Sequence, residues 1–250
     1  MRYMGSKRRI AKDILPIILR DRRPDQYYVE PFLGGANTMI RVDGPRIGGD
    51  SNRYLIALYQ GCQDGRSLVF DRSKAHYNTV REQYRGQVDH GYDDYHVGLV
   101  GFMASANGRF FEGGYSGSSV TKKGGVRDYI DEAVRGLSKD VPLIQGVDLH
   151  NCSYDELELP ENSIVYCDPP YKDTKPYGGE SLDYTKFWDW CRAVADQGHK
   201  VFISEYSAPE DFIEVWSQGM NSSIGTNAKN STTSSSTERL FTPPNPSRGR

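Results

Sequence analysis

The apolar run Ile164-Val165-Tyr166-Cys167 passes directly into Asp168-Pro169-Pro170-Tyr171, and no other stretch restricts the chain as tightly. Four apolar residues bounded by breakers read as a buried strand. Proline lacks a backbone N–H and has a fixed φ, so the strand ends at Cys167. A residue that precedes proline is driven to extended geometry, which holds Asp168 and Pro169 stiffly at the strand's mouth. A carboxylate, the Pro169 carbonyl and a flat ring then stand together. That trio suits a planar substrate bearing an NH2 group. The plain alternative is a proline turn capping a buried strand, with Tyr171 as packing.

Upstream, the pattern is that of an α/β fold. Tyr27–Glu30 reads as a short strand, followed by Pro31-Phe32-Leu33-Gly34-Gly35-Ala36-Asn37 and a helix from Thr38. A strand, a Gly-rich turn and a helix open a doubly wound fold, and the glycines let a ligand approach the backbone. Arg46–Asp50 reads as a second strand ending in an acid, with Ser51 and Asn52 capping the helix through Tyr54–Tyr59. An acid at that place can bind both hydroxyls of a ribose. Ahead of both strands, Gly5 and Ser6 break the chain, and Lys7–Arg20 has helical periodicity with a kink at Pro16. A Gly-Ser-Lys turn before a helix can offer N–H groups and an ammonium to an anion.

From Gly65 to Gly136 the periodicity weakens. Ala75–Tyr84 and Tyr95–Ala104 read as helices, and Asn107–Gly117 is a glycine-rich aromatic loop. Glycine, basic residues and rings together suit a polyanion that carries bases, so Arg109, Tyr115, Lys122, Lys123 and Arg127 are candidate contacts to such a polyanion. Arg8, in the basic first segment, joins them. The α/β alternation then resumes. Val147–Cys152, Ser163–Cys167 and Lys200–Ser204 read as strands, and Asp183–Gln197 reads as a helix whose aromatic stripe is core. Ile213–Trp216 and Arg239–Phe241 make a last antiparallel pair. Residues 221–237, rich in Ser, Thr and Asn, form a flexible loop between them, and 243–250 a loose tail.

Composition adds bounds. The 250 residues, 37% hydrophobic, suffice for one core, or for one core with an inserted lobe. A net charge of −2 argues for no partner by itself. The four cysteines lack metal-type spacing, which fits reduced thiols in a cytosolic protein and no metal. No apolar stretch approaches the roughly 18 residues of a membrane span, and no signal peptide is expected.

Tyr3-x-Gly5-Ser6-Lys7, Glu30-Pro31-Phe32-x-Gly34-Gly35, Asp50 and Asp168-Pro169-Pro170-Tyr171, in that order, resemble the Dam-type, α-group DNA adenine-N6 methyltransferases. The resemblance implies a Rossmann-like S-adenosylmethionine-dependent methyltransferase fold. Its sheet would be mostly parallel and seven-stranded, with an antiparallel last strand. Residues 1–64 and 137–250 would form the catalytic domain, and 65–136 a small, mainly helical target-recognition insertion. S-adenosylmethionine would be the methyl donor and S-adenosylhomocysteine the product, without metal. The cofactor would meet Tyr3, Met4, Gly5, Lys7, Glu30, Pro31, Phe32, Gly34, Gly35, Asp50, Ser51, Asn52, Ser153, Tyr154 and Asp168. Asp168, Pro169, Pro170 and Tyr171 would hold a flipped adenine of double-stranded DNA. The chain would act as a monomer or weak dimer in the cytoplasm of a bacterial or phage-infected cell, alone or within a restriction-modification pair. Ala36 stands where the family often has a third glycine, which affects fine loop geometry. Cytosine-N4 methylation, RNA adenine or protein glutamine methylation, and a catalytically silent nucleic-acid-binding module are the rival readings. The acid at 168 argues against the other methylations, and the intact four-residue run against the silent module.

Overall fold

A computed structural model describes residues 1–121, 124–171, 182–221 and 235–244. Among them, one seven-stranded sheet organises the chain. Its strands are β1 (Tyr28–Glu30), β2 (Arg46–Asp50), β5 (Val147–Asn151), β6 (Ile164–Cys167), β7 (Lys200–Glu205), β8 (Ile213–Asn221) and β9 (Ser235–Thr242), in the order β5-β2-β1-β6-β7-β9-β8. The first five pair in parallel, and β9 lies antiparallel between β7 and β8. The sheet is Rossmann-like: mostly parallel, with the last strand in the chain reversed.

The residues explain the order. Every residue of β1 and of β6 is buried. Strands covered on both faces lose the alternation of surface strands and settle in the middle of a parallel sheet. Helices supply the cover: α1 (Ala11–Ile18), α2 (Arg53–Gln63) and α5 (Tyr129–Ile144) among them, with α6 (Tyr184–Asp196) packing Phe187, Trp188 and Cys191 against Val165, Cys167 and Val201. The chain lays down β1, β2 and β5 to one side, then returns to place β6 and β7 on the other. The direction therefore reverses between β1 and β6, and in open α/β sheets the crevice beyond the strand ends at such a point is where ligands bind.

Between α2 and α5 lie α3 (Lys74–Tyr84), α4 (Asp94–Met103) and a two-stranded hairpin, β3 (Ser118–Val120) and β4 (Val126–Asp128). Gly108, at φ +67°, shows how this region meets the rest: a Cβ there would lie 2.5 Å from the Arg2 carbonyl oxygen. Helix α5 runs through residue 136, where the sequence reading ended the insertion.

Several expected elements differ. The helix expected over Lys7–Arg20 is a 3-10 turn at Lys7–Arg9 and then α1. The helix expected from Thr38 is a single 3-10 turn, Met39–Arg41. Asp43-Gly44-Pro45 follows at once, and a glycine at φ +80° before a proline ends helical geometry. The terminal strands are longer than Ile213–Trp216 and Arg239–Phe241, so β8 and β9 take up both ends of the stretch read as a loop. The rest of that loop, the tail from 245, Lys122 and Lys123 lie outside the described residues.

Candidate active site

The three motifs that follow strands leave the sheet from one edge. Val29 pairs with Val165 and Cys167 with Ile203, so the turn after β1 and the acid-proline run after β6 emerge side by side. Asp50 ends β2 on the same edge.

The Gly-rich turn is pinned by side chains. Asp50 accepts the Gly34 N–H at 3.0 Å through Oδ2 and the Asn52 N–H at 2.9 Å through Oδ1. Tyr59 donates its hydroxyl to the Gly34 carbonyl at 3.1 Å. Gly35 has no room for a side chain: a Cβ would stand 2.4 Å from Asn37 Nδ2 and 2.7 Å from Tyr3 Cβ. Tyr3 therefore lies on the turn, and its ring reaches Phe102 of α4 at 5.9 Å. Ala36 adopts φ +53°, the left-handed region that favours glycine. Asn52 also caps α2, accepting from Tyr54 N and Leu55 N. Ser51 is exposed, and Met4 and Gly5 lie at the surface end of the first segment.

Glu30 is 2% exposed at the end of β1. Burial pushes its carboxyl up to about 8, although the hydroxyls of Thr38 and Tyr28 favour the ionised form. Tyr28 donates to its Oε1 at 2.8 Å. Phe32 stacks on Tyr154 at 5.3 Å between ring centres. The buried Tyr154 hydroxyl and Asn37 Oδ1 have no hydrogen-bond partner among the described residues. Ser153 turns away from that wall, donating to Asp155 Oδ1 at 2.5 Å.

At the mouth of β6, the Lys7 ammonium lies 2.9 Å from Asp168 Oδ1, 3.6 Å from Glu238 Oε2 and 4.4 Å from the centre of the Tyr171 ring. Burial alone would lower the pKa of Lys7, but the two carboxylates more than offset it and hold the group above its ordinary range. Asp168 is raised by burial, with the ammonium opposing. Tyr171 donates to Glu238 Oε2 at 2.6 Å and meets Tyr206 edge-on at 4.5 Å. The Tyr184 hydroxyl donates to the Pro170 carbonyl and, at 2.8 Å, to Glu205. Among the described residues, the Pro169 carbonyl and Asp168 Oδ2 accept no hydrogen bond. Cys167 is fully buried, and burial pushes its thiol far up.

The structure thus brings together Lys7, Glu30–Gly35, Asp50 and Asp168–Tyr171. It adds Glu238, Asn37 and Tyr59, which sequence reasoning missed. Glu238 follows the Ser/Thr-rich stretch and has no motif around it; only the strand register reveals it. The candidate DNA contacts are more dispersed. Arg8 and Arg109 are exposed. Tyr115 donates its hydroxyl to the Arg72 carbonyl at 2.5 Å and packs on Tyr77, so it also fastens its own loop. Arg127 grips Glu132 through two bonds of 2.7 and 2.8 Å, which neutralises it locally. Among the described residues, no group of three or more His, Cys, Asp or Glu could hold a metal, and no helix is long and apolar enough to cross a membrane.

A search of curated proteins returns no match. Among solved structures, 28 chains match, including the crystal structure of SMU.472, a protein assigned as a methyltransferase, complexed with SAH. Identity to it is 15% and the TM-score 0.36; the match covers 97% of this chain and 54% of that one. The chain thus spans about half the length of that protein, and the fold assignment stands on the strand order itself. The family model of the D12 class N6 adenine-specific DNA methyltransferases matches residues 3–96, a span that holds the Tyr3–Lys7, Glu30–Gly35 and Asp50 motifs and ends before Asp168.

Proposed function

We propose that this protein transfers a methyl group from S-adenosylmethionine to the N6 amine of an adenine flipped out of double-stranded DNA. One observation carries the reading. Two acceptors, Asp168 Oδ2 and the Pro169 carbonyl, accept no hydrogen bond among the described residues and stand at the switch point, beside a glycine turn of the kind that lets a ligand approach the backbone.

The residues present fit the cofactor. Gly35 keeps side-chain bulk out of the turn. The unpartnered Asn37 Oδ1 and Tyr154 hydroxyl are buried polar atoms that a ligand would satisfy. Glu30–Gly35 would line the amino-acid end. Asp50, with lone pairs left after its two backbone bonds, would take the ribose hydroxyls. Phe32 and Tyr154 would offer a flat wall to the adenine, with Tyr3, Met4, Gly5, Lys7, Ser51, Asn52 and Ser153 at the rim. When bound, S-adenosylmethionine supplies a methyl group made electrophilic by its sulfonium.

The chain's own groups do the rest. Adenine N6 is a weak nucleophile because its lone pair is delocalised into the ring. Asp168 and the Pro169 carbonyl accept its two N–H groups and draw the nitrogen toward tetrahedral geometry. The freed lone pair would be open to the methyl group that the sulfonium supplies, and Asp168 would take one N6 proton and pass it to solvent. Alignment and fixed acceptors supply the acceleration, and no covalent intermediate on the protein is needed. Flipping costs a few kcal/mol. Stacking on Tyr171, roughly 1–3 kcal/mol, offsets part of that cost once Lys7 yields its place over the ring.

Residues 1–64 and 137–250 would form the catalytic unit and 65–136 the target-reading insertion. The protein would work as a monomer or weak dimer in the cytoplasm of a bacterial or phage-infected cell. The test is labelled-methyl transfer to mixed-sequence DNA, followed by mass spectrometry of the nucleosides. N6-methyladenine is expected, with Asp168→Ala abolishing transfer while cofactor binding is partly kept. N4-methylcytosine as the product, or equal rates for variant and wild type, would overturn the reading.

A further inference from the structure

We propose that Glu238 is a positioning residue of the target-base site, holding the Lys7 ammonium and the Tyr171 hydroxyl so that Asp168 is released to an incoming amine. The inference rests on the function proposed above and names a residue that no motif marks.

Lys7 is 6% exposed, and its ammonium touches the groups a target base would use. It lies against Asp168 at 2.9 Å and over the Tyr171 ring at 4.4 Å. An ammonium bound to Asp168 competes for the lone pairs that must receive the N6 hydrogens. A cation this buried cannot simply withdraw, because an unpaired buried charge is costly. A second carboxylate is needed, and Glu238 Oε2 supplies it at 3.6 Å, only 0.7 Å beyond the contact with Asp168 (3.6 against 2.9). Lys7 can therefore change partner without losing its counter-charge.

The same oxygen accepts the Tyr171 hydroxyl at 2.6 Å. One atom thus fixes both the rest position of the cation and the tilt of the ring on which a base would stack. Glu238 is free for this task because its neighbour is engaged elsewhere: Arg239 pairs with Glu214 at 2.6 Å. The register seats it, with Arg239 opposite Glu205 and Glu238 opposite Gln218.

Glu238→Gln keeps the size and an acceptor for Tyr171 but removes the charge. Single-turnover transfer to an adenine-containing duplex should fall tenfold or more. Affinity for S-adenosylmethionine should stay within about threefold, and Glu238→Asp should recover part of the rate. A second readout needs no turnover. Competitive acetylation at pH 9, read by mass spectrometry, should label Lys7 several-fold faster in Glu238→Gln than in wild type, with Lys12 as the internal reference. Wild-type rates in Glu238→Gln would overturn the inference, as would a lower rate with unchanged Lys7 labelling, which marks a merely structural loss. If wild type methylates no DNA, the functional reading falls, and the labelling alone decides whether Glu238 holds Lys7.

Discussion

Glu30 shows how far one environment can move one group. With its carboxyl pushed up to about 8, it is mostly neutral at pH 7 in the folded protein, whereas the unfolded chain ionises it near 4.5. Below both values the two states carry the same proton, and stability is unaffected. Between them the unfolded state sheds its proton first, so stability falls as pH rises from about 4.5 to about 8, by at most ~1.4 kcal/mol per pH unit, and then levels. Urea denaturation at several pH values should show this slope in wild type and a flatter one in Glu30→Gln. A cationic ligand bound beside Glu30 would favour the carboxylate. Calorimetry of S-adenosylmethionine binding near pH 7, in buffers of different ionisation enthalpy, should therefore register proton release that Glu30→Gln lacks. Ala36 gives a simpler case. At φ +53° it bears a conformation that glycine adopts freely, so Ala36→Gly should be neutral or stabilising by up to ~1 kcal/mol in urea melts. The sequence showed the missing glycine but not its angle, which the surrounding turn imposes.

At the scale of elements, the strands were the most legible part, because β6 is a short apolar run stopped by prolines and β1 runs into a glycine turn. The helix after Thr38 was overread because the breaker Asp43-Gly44-Pro45 lies only just beyond it. Arg127 illustrates a different limit. Its charge was visible, but its partner Glu132 became visible only once the hairpin met α5. Contacts of this kind also join the insertion to the first segment. Gly108→Ala would place a methyl group 2.5 Å from the Arg2 carbonyl oxygen and strain a left-handed residue. It should cost a few kcal/mol in thermal or urea unfolding. Because Tyr3 follows Arg2 and packs on Gly35, the same change should also weaken cofactor binding, measured by calorimetry.

At the scale of the molecule, the order of the motifs was readable, and so was the sheet they share. Three of the four motifs map onto one edge of a single sheet because each ends a parallel strand, and the first, Tyr3–Lys7, is brought to that edge by its contacts with Gly35 and Asp168. Glu238 was not readable. It comes from the one reversed strand of the seven, and pairing across the sheet, not proximity in sequence, brings it to Lys7. Loss of Asp168 should therefore silence the protein outright, whereas loss of Glu238 should slow it.

The seat of β9 between β7 and β8 has a consequence for how the protein is made. A ribosome delivers Glu238 more than two hundred residues after Lys7, so a nascent chain that still lacks β9 holds Lys7 against Asp168 alone. Long-range closures of this kind are slow and come late in folding. If the proposed methyl transfer holds, chains that have β6 but still lack β9 should be poor catalysts, and competence should arise in one step, when the reversed strand docks.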